Sequence, residues 1–286
     1  MIAPADFEFI STLVKQKSGL TLGAGKEYLV ESRLQGVATT WKCDDIPALV
    51  RMLRGLPDPK LVKAVCDAMT TSETMFFRDD APFRELRESL IPAAAARCRE
   101  TGRPLRIWSA ACSTGQEPLS IAMTVLQSKA VLGTTPVEIT ASDYSSVQLA
   151  RAKSGVYNHF EVQRGLPVAM LVSYFQQIPD GFRASDDLRK MMTFHERNLL
   201  EPYTGLALFD VIFCRNVLIY FDVQTKANVL QRMASQLAPG GVVILGGSET
   251  TLGITDALER RDGSTAGVYV RRAVAPAPGK GVPNAA

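Results

Sequence analysis

The chain has 286 residues, 32 basic and 29 acidic side chains, a formal net charge of +3, and 46% hydrophobic against 21% charged residues. That is the make-up of an ordinary globular protein with enough chain for a full core, and it excludes a mainly disordered chain, a collagen and a coiled-coil rod. The near balance of charge gives no reason to expect nucleic acid as the main partner, and no apolar run approaches the ~18 residues that span a bilayer.

The first part reads as helical. Phe7, Ile10, Leu13 and Val14 repeat at helical spacing after Asp6, which is placed as the N-cap. Gly19 and the stretch Gly23 to Gly25 break that pattern. Further helices are expected over Glu27 to Val37, Ile46 to Leu53 and Leu61 to Met69, with Pro57 and Pro59 between the last two. No strand pattern appears before Ser89, so residues 1–89 are expected to form a helical domain and linker.

From there strand and helix patterns alternate. Leu105 to Ala111, Val137 to Asp143, Phe209 to Cys214, Val242 to Leu245 and Gly267 to Arg271 read as short strands. Pro118 to Gln127, Ser146 to Lys153 and Val223 to Leu237 read as helices, and Pro239-Gly240-Gly241 as a turn. The alternation predicts an α/β protein, a doubly wound parallel sheet over residues 90–272 with helices on both faces and its last strands antiparallel at one edge. Phe160 to Arg197 interrupts it as a small insertion, in which Gly181-Phe-Arg183 and Met191-Met-Thr-Phe194 are the candidate strands. The Ala-, Pro- and Gly-rich tail, 273–286, is expected to be disordered.

Five scattered cysteines with no CxxC fit a reducing cytoplasm, and the start Met1-Ile-Ala-Pro-Ala-Asp6 is not a signal peptide. Two histidines, His159 and His195, leave little for a zinc site or a histidine triad. Chemistry is expected instead at four places. Ser109 to Pro118 follows the first strand, where a doubly wound sheet binds ligands. It has one glycine, Gly115, so a dinucleotide-phosphate loop is a poor reading and a dehydrogenase is excluded. Glu117 would repel a pyrophosphate and suits a ligand with an ammonium group, or else a solvated turn. Asp143, ending the second strand, suits either ribose hydroxyls or a helix N-cap. Thr71 to Arg78 gathers hydroxyls, two aromatics and an arginine, of which domain packing explains one phenylalanine but not Arg78. Arg215 and Asn216 fall at the carboxyl end of a strand, with Tyr220 one helical turn on, either in the site or as a core aromatic.

These segments, in this order, resemble the chemotaxis receptor methyltransferases, the CheR family. The family pattern Thr-Asn-Glu-Thr-x-Phe-Phe-Arg is matched by Thr71-Ser-Glu-Thr-Met-Phe-Phe-Arg78, and Trp-Ser-Ala-x-x-Ser-x-Gly-Glu-Glu-Pro by Trp108-Ser-Ala-Ala-Cys-Ser-Thr-Gly-Gln-Glu-Pro118. Ala141-Ser-Asp143, Asn198-Leu199, Phe213 to Phe221 and Gly247-Ser-Glu249 match as well, so the resemblance spans about residues 5 to 272. It implies a Rossmann-like S-adenosylmethionine-binding methyltransferase domain with an inserted β-subdomain (160–197), preceded by the helical domain. It implies methyl transfer to glutamates on the cytoplasmic helices of chemoreceptors, giving glutamate methyl ester and S-adenosylhomocysteine. By the same resemblance Ser72, Thr74, Arg78, Glu117, Asp143, Asn198, Leu199, Arg215 and Asn216 bind the cofactor, and Arg78 and Tyr220 are catalytic.

A glutamate carboxylate is already an anion at neutral pH and needs no general base, which agrees with the scarcity of histidine. Ser72 stands where the family pattern has Asn, and Gln116 where it has the first of two acids. Because the insertion looks short, action independent of a receptor C-terminal tether is expected. Arg51, Arg54, Lys60 and Lys63 are expected to form a basic face that docks the glutamate-rich receptor helices. A cytoplasmic monomer is expected, neither membrane-embedded nor bound to nucleic acid. The rivals are a methyltransferase for RNA or a small molecule, and a non-catalytic scaffold of the same fold.

Overall fold

The computed structural model describes residues 2–273. The expected disordered tail therefore lies, apart from Ala273, outside the described residues. Four helices open the chain: α1 (Pro4–Ser18), α2 (Glu27–Thr40), α3 (Ile46–Arg54) and α4 (Pro59–Met69). Ile10, Val14, Leu34, Leu49, Leu61 and Val65 are fully buried in one shared core. Asp45 and Asp58 cap α3 and α4 by accepting from Ala48 N and Lys60 N, both at 2.7 Å. Asp6 does not cap α1. The helix starts two residues earlier at Pro4, whose fixed φ suits a first helical position, and Asp6 sits in the first turn, where an acid favours the helix dipole. Pro59 likewise opens α4 rather than preceding it.

A continuous helical run follows: α5 (Ala81–Glu85), a π-helical turn (Leu86–Leu90) and α6 (Ile91–Thr101). Pro92 has no N–H to return to the carbonyl of Glu88, and the widened turn sits just before it. The boundary expected at residue 89 falls inside this run. Its buried Phe83, Leu86, Leu90 and Ile91 pack against the sheet, not against the four helices.

The sheet is built from β1 (Leu105–Ala110), β2 (Val137–Asp143), β6 (Met192–Glu196), β7 (Phe209–Cys214), β8 (Leu237–Leu245), β9 (Leu258–Arg260) and β10 (Gly267–Arg271), in the order β6-β2-β1-β7-β8-β10-β9. The first five in that order run parallel, and β10 and β9 complete the edge antiparallel. The helices on its two sides include α7 (Gln116–Gln127) and α13 (Val223–Ser235), with the short α8 (Lys129–Leu132) and the longer α9 (Ser146–Ser154) between α7 and the insertion. β7 is buried along its whole length: Val211 and Phe213 face one helical layer, Ile212 and Cys214 the other. Such two-sided burial explains its unbroken apolar run.

Two expectations are corrected here. Pro239-Gly240-Gly241 does not end an element. From Phe209 to Val211 β7 advances by two residues while β8 advances from Leu237 to Val242 by five, so these residues bulge out of a strand that continues. Met191 to Phe194 does not belong to the insertion. Met192–Glu196 is the parallel edge strand beside β2, with Ile139 opposite Met192. The inserted sheet consists of β3 (Val156–Tyr157), β4 (Phe175–Ile178) and β5 (Gly181–Ala184), antiparallel in the order β3-β5-β4, with α10 (His159–Gln163) and α11 (Val168–Tyr174) between its first two strands. A last short helix, α12 (Asp186–Arg189), leads back to the main sheet. The insertion is thus the folded β-subdomain that was expected, but its first strand, Val156–Tyr157, lies before residue 160.

Candidate active site

β1 has β2 on one side and β7 on the other, so the chain direction of the crossovers reverses between β1 and β7. A cavity opens at the carboxyl ends of these strands, the place where doubly wound sheets take ligands. Ser72, Thr74, Arg78, Glu117, Asp143, Asn198, Leu199, Arg215, Asn216 and Tyr220 all line it. So do residues that sequence reasoning did not single out, among them Ser18, Leu20 and Thr70 from the helical part, and Gln148, Val217 and Phe221.

Glu117 lies in the first turn of α7, not ahead of it. Its carboxylate accepts from Ser109 Oγ at 2.8 Å and from Arg215 Nη1 at 3.1 Å. It is therefore no solvated turn residue. Burial raises its pKa, against the opposing pull of the Arg215 guanidinium. Arg215, just past the end of β7, is buried to 1% side-chain exposure. Its Nη2 donates to the carbonyl of Arg78 and to Asp79 Oδ2, both at 2.7 Å, and its Nε has no partner among the described residues.

Asp143 is not a helix cap; Ser145 caps α9. One Asp143 oxygen accepts from Ser113 N at 2.8 Å and the other from Ser145 N at 2.9 Å. These bonds fix the carboxylate between the two loops after β1 and β2, while burial raises its pKa. Asn198 is held at both ends of its amide, donating to Lys17 O at 2.7 Å and accepting from Leu200 N at 3.0 Å.

The segment from Thr71 to Asp80 forms one wall. Arg33 of α2 donates to the carbonyls of Met69 and Thr70, at 2.7 and 3.1 Å, and so holds its start. Ser113 Oγ donates to Ser72 O at 2.9 Å. Phe76 is fully buried with its ring edge-on to Tyr157 and Phe175 of the inserted subdomain, and Phe77 packs on Phe83. Gly165, at φ +80°, lets the subdomain backbone approach the Phe76 carbonyl where a Cβ would collide. Among the described residues the Arg78 fork is engaged at Nη1 alone, by Glu73 O at 3.1 Å, and Arg78 lines the cavity.

Among the described residues seven non-glycines have positive φ, and six of them (Phe77, Asp79, Asp80, Ala111, Ser113, Asn216) lie in the loops that build this wall and floor. Such conformations cost about 1–3 kcal/mol each and persist only where neighbours over-determine them. Glu249 is one such determinant, and sequence reasoning assigned it no role. Its two oxygens accept from the backbone N–H groups of Asn216, Val217, Leu218 and Gly246 at 2.7–3.0 Å, fixing the turn after β7. Its signal was the Gly247-Ser-Glu249 match, which carried no chemistry of its own. Tyr220 ends a 3₁₀ turn, Leu218–Tyr220, in place of the expected helical turn, and its carbonyl accepts from Thr21 N at 2.8 Å.

The expected basic face is smaller than four residues. Arg51 and Lys60 are exposed, but Arg54 pairs with Asp6 at 3.2 Å and lies over the Phe9 ring. Lys63 turns away into the seam with the sheet, where it meets Asp67 at 2.6 Å, Tyr144 O at 2.7 Å and Glu196 at 3.4 Å. The strongly hydrogen-bonding ammonium has better partners there than water alone.

Comparison with known proteins decides the family. Residues 5–70 match the CheR methyltransferase all-alpha domain and residues 72–266 the CheR methyltransferase SAM binding domain. The chain belongs to the CheR methyltransferase family. It is 41% identical over 261 residues to the chemotaxis protein methyltransferase of Vibrio parahaemolyticus, covering 90% of this chain and 94% of that one. It is 34% identical over 255 residues to that of Escherichia coli, covering 87% and 85%. The solved plantazolicin methyltransferase BpumL, in complex with SAH, aligns at a TM-score of 0.33 and 11% identity over 76% of this chain and 61% of its own, a likeness too weak to carry any argument. The CheR chain is an S-adenosylmethionine-dependent methyltransferase, and its cavity fits that cofactor. A carboxylate anchored at the end of β2 suits a ribose diol, and a buried Glu117–Arg215 pair suits the zwitterionic end of a methionine. No described helix is long and apolar enough to cross a membrane, and no described cluster could hold a metal.

Proposed function

We infer that this cavity methylates glutamate side chains of chemoreceptors, the adaptation reaction of chemosensory signalling, and that the ten residues named from the sequence carry it. When bound, S-adenosylmethionine supplies an electrophilic methyl group and leaves as S-adenosylhomocysteine. Asp143 receives the ribose hydroxyls, and Glu117 with Arg215 the methionine end. Ser72, Thr74, Asn198, Leu199 and Asn216 complete the cofactor's surroundings. The acceptor carboxylate needs alignment and a dry setting more than it needs a base. Arg78 holds one acceptor oxygen by charge-assisted hydrogen bonds and leaves the other free, an orienting role. Tyr220, Leu20, Leu199, Val217 and Phe221 close the cavity against water.

One observation carries this reading: an arginine fork presented to the cavity by a strained loop, opposite two anchored acids, with no histidine lining the space. That set suits an acceptor that arrives already ionised. The exposed Arg51 and Lys60 of the helical part, with Arg54 beside them, form the docking face for acidic receptor helices, and the protein acts as a monomer in the cytoplasm. We place the division between its two parts near Thr71, where one core ends and the next begins.

The test uses radiolabelled S-adenosylmethionine and receptor-bearing membranes. Base-labile label released as methanol from receptor-sized protein is expected. Arg78→Ala should lower turnover by about 100-fold or more, with S-adenosylhomocysteine bound within about tenfold of wild type. Base-stable label would overturn the glutamate assignment, and an undiminished Arg78→Ala would overturn the role of the arginine.

A further inference from the structure

Arg78 is flanked by two residues in left-handed backbone, Phe77 at φ 48° and Asp79 at φ 70°, with Asp80 at φ 42° beyond. Phe77 is not a residue type that settles there unaided, so the direction in which Arg78 leaves the chain depends on what grips the loop. Two grips lie upstream: Ser120 Oγ accepts from Phe77 N at 3.0 Å, and Phe76 is buried in the aromatic cluster. Downstream there is Arg215. Its Nη2 takes the Arg78 carbonyl and the Asp79 carboxylate together, and its Nη1 takes Glu117. The Phe83 ring stands 5.7 Å behind the guanidinium.

We propose that Asp79 is a positioning residue: it completes a Glu117–Arg215–Asp79 chain that fixes the aim of Arg78. This rests on the functional reading above. The geometry argues for it in three ways. Arg215 is a buried cation between two carboxylates from segments far apart in the chain, and each carboxylate limits how far the guanidinium can shift toward the other. The carbonyl it holds belongs to Arg78 itself, so a movement of Arg215 is felt at that residue without an intermediary. Finally, the Asp79 side chain is 49% exposed and Arg215 keeps Glu117 as its buried counter-charge, so Asp79→Asn, which retains an acceptor oxygen, strands no buried charge and its effect lies in orientation. In this arrangement Arg215 is a clamp as much as a cofactor contact.

Asp79→Asn keeps the shape and removes the charge. Its turnover of receptor glutamates should fall about 10- to 100-fold. Its affinity for S-adenosylhomocysteine, measured by calorimetry, should stay within about threefold, and its melting temperature should hold. Asp79→Glu should recover most of the turnover. In an Arg78→Lys background, where the planar fork is gone, the further loss from Asp79→Asn should shrink to about threefold or less. Wild-type turnover from Asp79→Asn overturns the proposal. So does a full additional loss in the Arg78→Lys background, which would give Asp79 a role independent of Arg78, or a loss of S-adenosylhomocysteine affinity with turnover intact. Wild-type protein assayed alongside keeps the two ideas apart. If it yields no base-labile methyl ester, the functional reading fails and this inference with it. If it does and Asp79→Asn matches it, only the inference fails.

Discussion

β7 carries a buried ion-pair system at each end, and the two are built differently. At its start, Asp210 has no side-chain exposure and accepts both arms of the Arg103 fork at 2.8 Å, plus Arg106 N at 3.1 Å. Arg103 and Arg106 are close neighbours in sequence, and no non-glycine residue around them has positive φ. Just past its other end, Arg215 divides its fork between Glu117 and the Arg78–Asp79 segment and stands among strained loops. The first pairs one acid bidentately with Arg103, with Arg97 at 3.9 Å, and draws its partners from one short stretch of chain at the bottom of the sheet. The second stitches together segments that would otherwise drift. Equal burial and similar chemistry thus yield a structural fastening in one place and a shaped cavity in the other, and the number of separate segments joined is what distinguishes them.

The largest effect that would break this contrast is at Asp210. Asp210→Ala strands Arg103 against a buried strand end and should lower the unfolding free energy by about 3 kcal/mol in denaturant melts. Turnover per folded molecule should not change; a fall in turnover would make the bottom of the sheet part of the site. Next is Glu249, which grips the turn after β7 with no partner charge among the described residues. Glu249→Gln turns an acceptor into a donor against backbone N–H groups and should cost about 1–3 kcal/mol. Because that turn carries Arg215 and Asn216, S-adenosylhomocysteine affinity should fall with it, about tenfold by calorimetry. A stability loss with affinity intact would place Glu249 with Asp210 as a fastening only.

The smallest effect is in pH. Burial raises Glu117 above its ordinary value of 4.5, so the fold favours its protonated form. Its stability contribution is full below the unfolded value and is lost as pH rises through the folded one, so acidification does not destabilise the protein through this group. It does remove the charge facing Arg215. kcat/KM of the free enzyme should therefore start to fall on the acid side above pH 4.5 while the melting temperature holds. Loss of both together would assign the acid limb to unfolding.

Much of this was legible in the chain. The bounds of β2 and β7 follow from an alternating β-branched stretch and a buried apolar run respectively, and Asp143, Arg215 and Asn216 fall at or just past the carboxyl ends of those strands. Arg78 stood out as an arginine that packing did not explain. What local spacing does not contain is pairing at a distance. Asp79 meets Arg215 across 136 positions, and Lys63 finds Tyr144 across 81. Met192–Glu196 has the pattern of any short strand, and only the completed sheet shows that it lines up beside β2. The bulge at Pro239 reads as a turn because proline and glycine mark a departure from the ladder without saying whether the strand resumes.

The helical part lends the cavity Ser18, Leu20 and Thr70, and takes hold of its rim through Asn198 on Lys17 O and Thr21 on Tyr220 O. The pocket is therefore a seam property. A small molecule shaped to that seam would touch surfaces that a bare methyltransferase sheet does not possess, and selectivity over the cell's other users of the same cofactor could be designed there, outside the contacts they all share.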